Sequence, residues 1–107
     1  MTLQHKELAK GKWNKLSFFE QMANIGSEIE RTINWRLKNK EYSLLAFYRA
    51  LELLDLTISD KKNVNRLKEC VRIREVLADY FFGENQFSSS DALWKKYFYP
   101  FNYAARV

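Results

Sequence analysis

This chain of 107 residues is short of the residues that usually make sites and breaks: it has one cysteine, one histidine, one proline and three glycines. A single cysteine, Cys70, has no partner for an intramolecular disulfide, which fits a reducing compartment. A single histidine, His5, excludes a di-iron centre built on Glu-x-x-His pairs and a histidine-rich zinc site. Gly11, Gly26 and Gly83 stand too far apart to form a phosphate-cradling loop. No cofactor or metal is expected. The sequence also lacks an apolar run long enough to span a bilayer and a charged-then-apolar leader, so the expectation is a soluble, cytoplasmic protein.

What the chain does have is 47% hydrophobic and 16% aromatic residues, enough for one domain to bury a core without disulfides or metal. Its net charge of +5 is uneven. Lys6, Lys10, Lys12 and Lys15 against Glu7 place +3 in the first sixteen residues, leaving 14 basic and 12 acidic groups, or +2, for the other 91. Residues 1–15 therefore read as a basic, flexible segment with Trp13 as its anchor, and residues 16–107 as a single helical-bundle domain.

From Ser17 to Phe82 the pattern is helical and free of proline. Ser17 and Glu20 form a capping box, and Phe18, Met22, Ile25, Ile29 and Ile33 follow as a core stripe. A second helix over about 41–58 is apolar nearly all round, which predicts burial on several sides. A third, from about Val64, carries Val64, Leu67, Val71, then Arg74 or Ile73, and Leu77, Ala78 and Phe81 as its core face. It ends at Gly83, which suits a left-handed cap. A serine near Ser90 caps a short last helix reaching about Phe98, before Pro100. The fold class read from this is all-α: an antiparallel up-and-down bundle of three long helices plus a short C-terminal helix.

Two groups of residues are candidate binding elements. Arg49, Glu52 and Asp55 form the one polar strip of the second helix, and Arg72, Glu75 and Asp79 share a face of the third. Facing each other, they build either an interhelical ion-pair network or a polar groove. Trp94, Tyr97, Phe101 and Tyr103, with Phe98 and Tyr99, crowd one short stretch with apolar area that must be covered, by the bundle itself or by a partner. Cys70, between Leu67 and Ile73 and without a nearby histidine, reads as a core filler.

The segment from Leu44 to Asp55, LLAFYRALELLD, is an almost wholly apolar helix with Arg49 and Glu52 three apart. Within a small bundle it resembles the helical bundles of the HEPN superfamily, over about residues 17–98. The resemblance implies a bundle of the kind that partners small nucleotidyltransferases. Ribonucleases of that superfamily place a histidine shortly after an arginine; here His5 precedes every arginine, so the resemblance implies a non-catalytic member and no catalytic residue is carried over. The expected function is thus a non-enzymatic protein-interaction module, acting with a protein partner or as a homodimer. The alternative is a nucleic-acid binder or cryptic nuclease using Arg72, Glu75 and Asp79, which the pI of about 9.4 favours.

Overall fold

The computed structural model describes residues 11–106. Within them the chain is all-helical, with no strand: α1 (Phe18–Trp35), α2 (Lys40–Ser59), a 3₁₀ segment (Lys61–Arg66), α3 (Leu67–Phe81) and α4 (Asp91–Arg106). The start of the basic segment, with His5, Leu3 and Leu8, lies outside the described residues.

Local chemistry sets the helix starts. The Glu20 amide donates to Ser17 Oγ at 3.1 Å while the Ser17 amide donates to Glu20 Oε1 at 2.9 Å, the reciprocal capping box expected at α1. Asn39 accepts from the Tyr42 amide at α2, Asp60 from the Lys62 amide at the 3₁₀ segment, and Ser90 from the Leu93 amide at α4. α1 packs most extensively against α2 and α4, and α3 lies on α2. The core stripe of α1 is as expected, with Phe18, Met22, Ile25 and Ile29 buried and Ile33 packed at its edge. Trp13 is also buried, so the packed body reaches into the segment before residue 16.

Four expectations are corrected. First, α2 packs on several sides as expected, against α1, α3 and the 3₁₀ segment, but it is not covered all round: Ala46, Phe47, Ala50 and Leu54 face the core, whereas Leu44 and Leu45 are exposed. Second, α3 buries Cys70 and Leu77 and packs Ile73 and Phe81 partly buried against the core, the last three as expected, but Val64, Leu67 and Val71 turn outward. The cause lies upstream, where Asn63 breaks helical geometry (φ −96°, ψ 15°) and is itself buried by hydrogen bonds to Gln21 and to the Thr57 carbonyl. With Asn63 inward, Val64 must point out.

Third, α4 does not end near Phe98 but runs 16 residues, through Pro100. An interior proline removes a backbone hydrogen bond and costs about 3 kcal/mol. Apolar contacts on both sides of it hold the helix on: Trp94 and Phe98 are buried in the core, and the Phe101 ring meets Phe18 edge-on at 5.9 Å. Fourth, Gly83 is not left-handed. No glycine has a positive φ; Asn85 and Ser88 do, both at 55°. Gly83 serves close approach instead, since a Cβ there would lie 2.9 Å from the Asp79 carbonyl oxygen.

Candidate functional site

The two charged strips do not form one network. Asp55 pairs with Arg74 of α3 through two hydrogen bonds, at 2.7 and 3.2 Å. Arg49 turns instead to α1, where its Nη1 lies 3.8 Å from Glu28 Oε1. Arg72 covers the Phe87 ring at 4.9 Å, Glu75 is exposed, and Asp79 accepts the Gln86 and Phe87 amides at 2.9 and 3.1 Å. Asp79 thereby fastens the loop after α3. Arg72, Glu75 and Asp79 do not converge on a shared point as an acid–base pair would require.

Glu52 is the exception among them, because its Oε2 is buried without a hydrogen-bond partner. A lone buried carboxylate oxygen opposes folding, so its removal should not destabilise. Glu52→Leu is expected to match the wild type in unfolding free energy or to exceed it by up to about 1 kcal/mol. Chemical denaturation checks this; a loss of about 3 kcal/mol, the usual cost of breaking a buried pair, would contradict it.

The aromatic helix covers the bundle's own core. Tyr97 donates its hydroxyl hydrogen to Glu69 Oε2 at 2.7 Å; burial and that carboxylate push its pKa above the ordinary value, so it stays a neutral phenol. Trp94 is buried with its indole N–H unpartnered, and Phe101 packs among Phe18, Phe19 and Tyr97. Only Tyr99 and Tyr103 of this helix's aromatics remain largely exposed, at 64% and 62%. The N-terminus of α4 is pinned by Asp91, which accepts from Arg36 Nη2 and from the Tyr80 hydroxyl, each at 2.6 Å. Cys70 is fully buried, and burial with the nearby Glu69 charge pushes its thiol up to about 11, away from nucleophilic reactivity at neutral pH.

Two features were not apparent in the sequence. One is a buried polar cluster at the α1–α2–3₁₀ junction. Gln21, fully buried, donates to the Trp13 carbonyl at 2.9 Å and to Asp60 Oδ2 at 2.8 Å, and accepts from Asn63 Nδ2 at 2.8 Å. Trp13 Nε1 donates to Thr57 Oγ1 at 3.0 Å, and the Lys62 ammonium donates to Asp60 and to the Asn14 carbonyl. Burial pushes the Asp60 carboxyl up, but hydrogen bonds from Lys62 and Gln21 outweigh it and hold it below its ordinary value.

The other is an open cleft on the outer side of α1 and α2, about 290 Å³ in volume and lined by Arg31, Trp35, Tyr42, Leu45, Ala46 and Arg49. On α1, Arg31 and Trp35 are four apart; on α2, Tyr42, Leu45 and Arg49 step by three and four, so each set shares one helix face. Trp35 and Tyr42 meet edge to face at 5.1 Å. Tyr42 is 52% and Leu45 56% exposed. Glu28 lies beneath, buried, with Oε2 accepting from Arg31 Nη1 at 3.0 Å and Oε1 left without a hydrogen bond.

Such a cleft holds two half-exposed guanidiniums in place over a buried carboxylate and offers apolar side chains between them. Among the described residues no three or more His, Cys, Asp or Glu groups gather to hold a metal ion, and no helix is long and apolar enough to cross a membrane. No family model, curated protein or solved structure gives a significant match to this chain.

Proposed function

We propose that this protein is a non-catalytic, cytoplasmic protein-interaction module, an up-and-down antiparallel bundle that docks a protein partner on the outer face of α1 and α2. The observation that carries the reading is the exposed row of Trp35, Tyr42 and Leu45 between Arg31 and Arg49. Trp, Tyr and Arg are the residues most often dominant in protein interfaces. They cost solubility when left exposed, and nothing in the bundle's own packing requires Leu45 to be apolar. The HEPN-like resemblance supports the same reading, with a nucleotidyltransferase-like enzyme as the partner class that it implies.

The test is copurification at native expression level, comparing the wild type with Leu45→Glu. A protein recovered in stoichiometric amount with the wild type is expected to be lost from the variant. Because Leu45 is a surface position, the variant's unfolding free energy should stay within about 0.5 kcal/mol of the wild type. Equal recovery with both proteins would contradict the proposed surface.

A further inference from the structure

Resting on that docking reading, we infer that the cleft between α1 and α2 receives an acidic amphipathic helical segment of another protein. The two helices present their side chains in rows of three- and four-residue steps, which is the spacing with which a third helix seats its apolar residues in a groove. The cleft, at about 290 Å³, suits one or two inserted aliphatic or aromatic side chains. Its charge sets the sign of the partner. Arg31 and Arg49 share the carboxylate of Glu28, and Glu52 follows Arg49 on the same strip of α2, so the charges within the cleft balance and its excess comes from its rim. At the adjoining turn Lys38 and Lys40 make no ion pair among the described residues, and Glu41 is the only acidic side chain from Trp35 to Tyr42.

That excess argues against a second copy, because a two-fold contact through this face would set the same lysines against each other. A nucleic acid is also disfavoured. Trp35 and Tyr42 pack edge to face on each other rather than as parallel plates between which a base would stack. An Asp or Glu beside an apolar anchor complements the rim lysines.

The test is selection of a phage-displayed library of helical peptides on the immobilised full chain, with synthetic copies of the enriched peptides titrated by fluorescence anisotropy. The enriched sequences should carry apolar residues at i, i+3 or i+4, and i+7 with a net negative charge. Their affinity should fall about tenfold or more with Leu45→Glu and about tenfold with Arg49→Gln. Thermal unfolding of both variants verifies that they are folded. Enriched peptides that are neutral or basic, yet still lost on Leu45→Glu, would overturn the acidic partner and leave the docking face standing. Peptides indifferent to Leu45→Glu would overturn both. Two further results would overturn the inference in favour of other occupants: a dimer by sedimentation that Leu45→Glu dissociates, or a single-stranded RNA that binds the wild type and not Leu45→Glu.

Discussion

Gly26→Ala is expected to lower the stability of this protein by about 2 kcal/mol and its melting temperature by roughly 10 °C, although alanine is the better helix former. Gly26 lies inside α1, where a glycine ordinarily weakens the helix by about 1 kcal/mol relative to alanine. Here the missing side chain is what lets α4 approach. A Cβ at Gly26 would stand 2.8 Å from the Cβ and 2.9 Å from the Cγ of Phe98, and no rotation about χ1 moves a Cβ away. Either Phe98 leaves its core position or the two helices separate, and overpacking of this kind costs about 1 to 3 kcal/mol, occasionally more. We place the gross cost near the top of that range and subtract the propensity gain. Gly11→Ala is the matched control, because a Cβ there meets nothing within 4 Å. Calorimetry of the two variants side by side checks the claim: equal or raised melting temperatures for both would mean that α4 does not sit on Gly26.

A larger effect is expected at Gln21, whose amide satisfies three groups from three parts of the chain: the Trp13 carbonyl, Asp60 and Asn63. Gln21→Ala leaves each of them short of a partner in a site closed to water, and a single unsatisfied buried group costs about 1 to 3 kcal/mol. Some relaxation and water entry will recover part, so the expected loss is about 3 kcal/mol, measured by urea denaturation. The variant also makes a pH prediction. In the wild type the Asp60 carboxyl titrates below its ordinary value, so the stability that it adds is fully present above the unfolded-state pKa, close to 3.8, and is lost as the pH falls through the lower folded-state value. Without the Gln21 donor the depression shrinks. The variant's stability difference from the wild type should therefore narrow below about pH 4, where Asp60 no longer contributes fully in either protein. A difference that stays constant from pH 7 to pH 3 would contradict the assigned role of Asp60.

The elements of the bundle are legible in the sequence because their signals are local. The Ser17–Glu20 capping box, the four- and three-residue steps from Phe18 to Ile29 and the serine before Asp91 each act within a turn or two of chain. The misread features depend on distant residues. Which face of α3 points inward is decided by Asn63 reaching Gln21, 42 positions away, and periodicity alone favoured the more apolar line of Val64, Leu67 and Val71. Pro100 signalled an end that the aromatic contacts on both sides of it override. The charged strips lie on single helix faces, but ion pairing follows reach rather than sequence order: Asp55 meets Arg74, a residue that apolar spacing offers to the core, and Arg49 meets Glu28 on α1. The cleft was hidden by the apolar surplus of α2. A helix apolar all round looks central, and only the packing shows that its neighbours cover Phe47, Ala50 and Leu54 and leave Tyr42 and Leu45 outside.

A protein partner docked as proposed contacts the outer face of α1 and α2 and not the aromatic last helix. Amide and indole chemical-shift mapping of the isotope-labelled full chain, titrated with the protein that copurifies with it, tests this most directly. Shift changes are expected to concentrate at Arg31, Trp35, Tyr42, Leu45 and Arg49, including the Trp35 indole, with Tyr99 and Tyr103 unmoved. Changes centred on Tyr99 and Tyr103, with the Trp35 indole unaltered, would contradict it.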